Sequence, residues 1–155
     1  FSRRVLRAAR VTPVLDGIGN PHNLGAIARS AAFFGCRAMV LSGDPRQAGL
    51  SDAAFRTSEG GLEALEVFRA TDLPGTLRAL APGMLAIAAV PRGGVPPQDV
   101  PRGVPLALVL GNEEDGLTAA TVAACPLRVT LPAAGPVESL NVSVAAAVLI
   151  HALSA

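Results

Sequence analysis

An α/β domain built on a mostly parallel sheet is the architecture this sequence predicts, and three observations carry it. Short apolar runs of strand length alternate along the chain with stretches of helical periodicity, the pattern that builds parallel sheets. Those runs are continuously apolar, as strands covered on both faces are. Half of the 155 residues are hydrophobic and only 16% are charged, against about 25% in an ordinary soluble domain. Mean hydropathy is +0.45. The length fits one domain with a proper core, and part of the apolar surplus suits an oligomer interface.

Residues 3–10 carry Arg3, Arg4, Arg7 and Arg10 and read as a basic helical turn. The chain begins at Phe1 without a Met, so residues 1–10 are expected to be the end of a linker from an upstream domain. Residues 11–15 read as a strand, followed by a loop over 16–23 rich in turn formers. Residues 25–34 read as a helix with Leu24, Ile27, Ala28 and Ala31 on one face. A second strand is expected over 38–41, and helical spacing over 51–65 breaks at Gly60-Gly61. Residues 76–80 suit a helix, 84–90 a buried strand and 91–105 a loop rich in Pro and Gly. The run 106–110 is a strand that enters Gly111-Asn112-Glu113-Glu114-Asp115-Gly116 directly. A short helix over 118–124, a strand over 127–131 and a closing helix over 141–153 complete the reading. Ser139 and Asn141 both make good helix N-caps, and the run behind them is apolar on all sides, as in a buried helix.

Composition removes several function classes. Cys36 and Cys125 are isolated, without the spacing of a zinc site or a disulfide framework, so no metal is expected and a reducing cytoplasm is the default. The longest apolar run, near residues 140–150, is too short to span a bilayer, and no signal peptide or membrane partner is expected. Net charge is only +1, and all 13 basic residues are Arg. That total neither supports nor excludes nucleic acid, because a local patch matters more. Neither a GxGxxG nor a P-loop is present, so the usual dinucleotide and triphosphate readings fail at the motif level.

Ligands of open parallel sheets sit beyond the carboxyl ends of the strands. Three polar loops follow strands here, over residues 16–23, 111–116 and 133–141. Asn20-Pro21-His22-Asn23-Leu24-Gly25-Ala26-Ile27-Ala28-Arg29-Ser30-Ala31 resembles the first motif of the SpoU/TrmH family of RNA ribose 2′-O-methyltransferases. Leu110-Gly111-Asn112-Glu113-Glu114-Asp115-Gly116-Leu117 resembles the second motif, and Leu131-Pro132 with residues 137–145 the third. The three stand in the family's order over nearly the whole chain. One departure is Ala133-Ala134, where relatives often carry Met and a small residue.

The resemblance implies a SPOUT fold with a C-terminal trefoil knot, a homodimer, and S-adenosyl-L-methionine bound in the knot. It implies that residues 11–155 are the catalytic domain and that the missing upstream domain binds RNA. The family pattern places cofactor contacts at Leu110, Gly111, Asn112, Gly116, Leu131, Ser139, Leu140 and Asn141. Its catalytic pattern falls on Asn23, Arg29, Glu113, Ser139 and Asn141. The substrate would be rRNA or tRNA.

Each residue also has a plainer reading. A guanidinium stays protonated, so Arg29 suits a phosphate clamp and electrostatic support for a forming alkoxide better than a literal base; otherwise it is a helix-surface arginine. Asn23 could cap a helix beginning at Leu24, and Ser139 and Asn141 could act as caps alone. Glu113 is expected to point inward and bond Asn23 or the ribose. His22 reads as a turn histidine or a base, His151 as an interface or C-terminal residue, and Glu59 as a turn residue or part of an RNA face. With five Phe and no Trp or Tyr, base stacking is limited. Arg3, Arg4, Arg7, Arg10, Arg29, Arg46, Arg56 and Arg92 are candidates for backbone recognition. A catalytically silent RNA-binding or dimerisation module of the same fold and a Rossmann-type oxidoreductase domain are the alternatives.

Overall fold

The structure, a computed structural model, describes residues 3–155; Phe1 and Ser2, at the start of the expected linker, lie outside the described residues. Its strands are β1 (Val11–Asp16), β2 (Ala38–Ser42), β3 (Glu66–Ala70), β4 (Leu85–Ala89), β5 (Leu106–Gly111) and β6 (Leu127–Val129). They form one six-stranded sheet in the order β3-β2-β1-β5-β4-β6, every pair parallel. In the dinucleotide-binding fold β4 would lie beside β1; here β5 takes that place and β4 lies outside it. That order removes the Rossmann-type alternative.

Both faces of the sheet are covered. One carries α2 (Pro21–Phe33), α3 (Asp52–Ser58), α4 (Gly61–Ala64) and α7 (Val142–Ser154), which close a core around Leu15, Ile27, Leu108 and Ile150. The other carries α1 (Arg3–Leu6), α5 (Leu73–Leu80) and α6 (Ala119–Ala123) over Val14, Val40, Leu77 and Val109. Burial on both sides explains why β1, β2 and β5 read as unbroken apolar runs. Among the described residues, no helix is long and apolar enough to cross a membrane.

Four expectations change. The helix expected from residue 25 begins at Pro21, because Pro suits the first helical position and Asn20 caps it through bonds from His22 N (2.8 Å) and Asn23 N (3.3 Å). Asn23 is therefore inside the helix and is not its cap. β3 was not legible: it is an edge strand with Glu66 and Arg69 exposed. α7 is not buried all round, since Val144 and Val148, one turn apart, are 49% and 44% exposed. Finally, the 3–10 segment is packed down: Leu6 is fully buried, and its carbonyl accepts from Thr12 Oγ1. Arg10 donates to the carbonyls of Leu153, Val104 and Pro101 at 3.0–3.1 Å, so its guanidinium clamps the end of α7 and is not free for RNA.

One continuous segment, Leu85 to Val95, flanks β6 on both edges. β4 pairs with β6, and Val90 N donates to Val129 O on that side. On the other edge, Val95 N donates to Arg128 O and Val95 O accepts from Thr130 N, both at 2.9 Å. Thr130 secures the crossing, donating from Oγ1 to Val90 O and accepting from Gly94 N, each at 2.9 Å. Gly94 has no room for a side chain, because a Cβ would stand 2.7 Å from Thr130 Oγ1.

Candidate active site

β1 and β5 are neighbours in register from Val11↔Leu106 to Asp16↔Gly111, so the loops leaving their carboxyl ends emerge side by side. Glu113 joins those loops. Its Oε1 accepts from Gly19 N, and its Oε2 from Asn20 N and Asn23 Nδ2, each at 3.0 Å. Burial alone would raise the Glu113 pKa; the hydrogen bonds from Asn23 and from backbone N–H groups outweigh it and hold the group below its ordinary 4.5. The expected Glu113–Asn23 bond is thus present, and it ties the second motif to the first.

Asn112 completes the junction. Its Oδ1 accepts from Glu114 N and Asp115 N at 3.0 Å, an Asx-type turn, while Nδ2 donates to Gly17 O at 2.8 Å. Behind it Gly111 and Gly116 touch, so that a Cβ on Gly111 would stand 2.5 Å from Leu117 N. On the opposite face, buried Asp16 accepts from Thr121 Oγ1 at 2.8 Å, which anchors the start of α6 against the end of β1.

Two grooves are lined by the segment after β6, and the second of them opens at this junction. The first, about 290 Å³, is walled by Pro91, Arg92 and the stretch from Thr130 to Glu138, including Leu131. The second, about 790 Å³, gathers Asn20, Asn23, Arg46, Asn112, Glu113, Ser139, Leu140 and Asn141. Asn141 caps α7, accepting from Ser143 N at 2.8 Å and Ser143 Oγ at 2.6 Å. Leu110 is 2% exposed and, with Gly111 and Gly116, lines neither groove.

The predicted site residues therefore separate. Asn23, Glu113, Ser139 and Asn141 share the second groove, and Leu131 lies in the first. Arg29 lines neither: it is exposed on α2. His22 Nδ1 stands 2.9 Å from Thr57 Oγ1 and links α2 to α3, while the His151 ring lies 5.1 Å from that of Phe34, against the end of α2. Glu59 is exposed in a left-handed turn (φ 48°) ending α3. Sequence reasoning missed three parts of the site. The N–H donors of Gly19 and Asn20 were hidden in a turn-rich stretch, and the first groove's wall at Pro91 in a loop without a motif, where Arg92 was read only as a candidate for the RNA backbone. Arg46 was noted as one arginine among many; here it is fixed between Asp44 and Asp115 at the groove.

Known proteins resemble this chain in sequence and in fold. Residues 10–151 match the SpoU rRNA Methylase family. An uncharacterized tRNA/rRNA methyltransferase of Mycobacterium sp. (strain KMS) is 42% identical over 137 residues, covering 88% of this chain and 43% of that protein. The 23S rRNA (guanosine-2′-O-)-methyltransferase RlmB of Nitrosomonas europaea is 41% identical over 138 residues, covering 88% of this chain and 53% of its own. This chain therefore spans about half the length of such relatives. Among solved structures, a TrmH-family protein from Porphyromonas gingivalis superposes with a TM-score of 0.85 at 31% identity, over 94% of this chain and 59% of that one. The SpoU methyltransferase AviRb from Streptomyces viridochromogenes, in complex with AdoMet, gives 0.82 at 28% identity, over 92% and 56%. With its three motifs gathered at one end of a six-stranded parallel sheet, this chain belongs to the SpoU rRNA methylase family.

Proposed function

We propose that this chain is the catalytic domain of an S-adenosylmethionine-dependent RNA methyltransferase that methylates a ribose 2′-hydroxyl of rRNA or tRNA. The observation that carries the reading is the second groove, where Asn23, Glu113, Ser139 and Asn141 converge from three separated segments of the chain. The cofactor-bound AviRb relative and the named activity of the RlmB relative support it. We place the C-terminal knot of the family where the segment after β6 passes the crossing made by Leu85 to Val95, which flanks β6 on both edges, and propose that the longer protein carries an RNA-binding domain outside residues 3–155, whose first residues pack as part of this domain. The protein works as a homodimer in the cytoplasm.

The chain's own residues suit the cofactor. Leu131, Pro132 and Val137 give the first groove apolar walls for a flat heterocycle, and Arg92 and Glu138 offer opposite charges to a zwitterionic amino-acid end. When bound, S-adenosylmethionine supplies an electrophilic methyl group carried on a sulfonium.

The acceptor is handled in the second groove. Glu113 stays ionised and is a weak base, so its task is to orient. Its two oxygens offer about four acceptor positions, and three are taken by Gly19, Asn20 and Asn23. The one remaining on Oε1 suits a ribose hydroxyl. Orientation of this kind can supply roughly 7–11 kcal/mol of barrier reduction in favourable systems. Arg29 of a second copy is placed beside the forming oxyanion, where a fixed guanidinium stabilises developing charge. Exposed Phe33 (82%) on the same helix, with Val144 and Val148 on α7, gives that second copy an apolar surface to cover.

Mass spectrometry of nucleosides from total RNA, with and without the gene, tests the reading. One missing 2′-O-methylnucleoside is expected, and an unchanged spectrum refutes it. Calorimetry should detect S-adenosylmethionine binding by the domain alone, whereas RNA methylation by the isolated domain should be weak.

A further inference from the structure

Arg46 is the one cationic residue among those lining the acceptor groove. Its guanidinium is held by two carboxylates: Nε and Nη2 form a fork onto Asp44 at 3.1 and 3.0 Å, and Nη1 donates to Asp115 Oδ2 at 2.9 Å. Asp44 belongs to the loop after β2 and Asp115 to the loop after β5, so the side chain is fixed from two elements. Arg46 N also donates to Asp44 Oδ1 at 2.8 Å, and Asp44 and Arg46 pack against Gly17. A guanidinium has five N–H donors; three are used here, and one on Nη1 and one on Nη2 remain. The side chain is still 40% exposed, so those donors are accessible.

The charge balance decides what they can bind. One cation between two carboxylates carries a net negative charge, and Glu113 and Glu114 line the same groove. Such a cluster offers a phosphate no net attraction, because Coulomb repulsion from the carboxylates offsets the guanidinium. A neutral acceptor feels no such penalty and gains directed hydrogen bonds from a donor already immobilised. Carbonyl oxygens and ring nitrogens on a base edge have this character.

We propose that Arg46 is a specificity-determining residue that reads the base of the acceptor nucleotide, rather than a contact to the RNA backbone. This rests on the groove being the RNA acceptor site. Asp44 and Asp115 are positioning residues that hold the guanidinium and cancel its affinity for phosphate.

The test uses the full-length protein, methyl-labelled S-adenosylmethionine and total RNA from cells lacking the gene. The four 2′-O-methylnucleosides are quantified after digestion, and RNA affinity is measured against salt. For Arg46→Gln, kcat/KM at the native nucleotide should fall about 5- to 150-fold, the range of one base-edge contact. Other 2′-O-methylnucleosides should gain share, and the salt slope should stay as in wild type. A slope reduced by about one with an unchanged nucleoside profile makes Arg46 a phosphate contact and overturns the proposal. Rate and profile both unmoved leave it a loop staple and overturn the proposal as well. Asp115→Asn, which keeps the Asp44 fork, should retain the profile while binding becomes more salt-dependent; an unaltered salt response there defeats the charge argument. Failure of wild type to form any 2′-O-methylnucleoside refutes the acceptor site itself and the role of Arg46 with it, whereas a wild-type product untouched by Arg46→Gln refutes that role alone.

Discussion

Replacing Glu113 by Gln keeps the shape of the side chain and removes its charge. The carboxylate accepts one N–H on Oε1 and two on Oε2, whereas an amide has one accepting end and one donating end. Turned one way, the new NH₂ meets Asn20 N–H and the Asn23 amide; turned the other, it meets Gly19 N–H alone. The second orientation costs less, yet it still loses one bond and sets two donors 3.0 Å apart. Hydrogen bonds to charged groups contribute about 1.5–3 kcal/mol when shielded. Glu113 is exposed, so after solvent screening the whole change is roughly 1–2 kcal/mol. For a domain of this size that lowers Tm by about 2–8 °C.

On the proposed role, the same substitution would loosen the loop that orients the acceptor, and small misplacements of that kind cost about 100-fold in rate. Scanning calorimetry, S-adenosylmethionine titration and single-turnover methylation separate the effects: Glu113→Gln should bind cofactor normally in the first groove and transfer methyl far more slowly. Wild-type turnover alongside a lowered Tm would refute an orienting role and leave Glu113 purely structural. The pH response has a definite sign. The folded-state pKa lies below 4.5, so between the two values the unfolded chain binds more protons and stability falls as pH falls. The Tm gap between wild type and variant should therefore be full above about pH 5 and close as pH drops through the folded-state pKa.

Gly25→Ala should destabilise the domain although Ala is the better helix former. Its Cβ would stand 2.5 Å from Ala54 O and 2.7 Å from Thr57 Cβ, and overpacking of about 1–3 kcal/mol outweighs roughly 1 kcal/mol of propensity, readable by urea unfolding. Arg10→Met should remove three bonds to the carbonyls of Leu153, Val104 and Pro101, and amide exchange at residues 150–154 should rise about tenfold or more, consistent with one lost charge-assisted bond. Val148→Asp places a charge on the exposed apolar stripe of α7, and sedimentation at micromolar concentration should shift from dimer to monomer while the domain stays folded.

Strands were legible where burial on both faces leaves an unbroken apolar run, as in β1, β2 and β5. β3 failed that criterion because an edge strand tolerates Glu66 and Arg69 in water. Pro21 read as a turn residue, although its fixed φ suits the first position of α2 equally well. Apolarity of α7 marked it for removal from water but could not say whether its own core or another chain does the covering. Of the two partners expected for Glu113, Asn23 and the ribose, the folded chain supplies Asn23. The Arg46–Asp115 pair was not foreseen, since 69 residues separate its partners and no pattern links them.

The location of Arg29 yields the sharpest test of assembly. One copy brings Asn23, Glu113, Ser139 and Asn141 to one groove, yet leaves Arg29 exposed elsewhere on α2. If its guanidinium serves the site of the partner, two inactive variants should complement each other. A dimer of an Arg29→Ala subunit with a Ser139→Ala subunit contains one site with both residues intact and one lacking both. Random mixing makes half of the dimers mixed, so activity should recover to about a quarter of wild type. If Arg29 acts within its own subunit, every site in every dimer lacks one residue or the other. No recovery on mixing, with dimers verified by sedimentation, would therefore refute the shared site while leaving the groove around Glu113 intact.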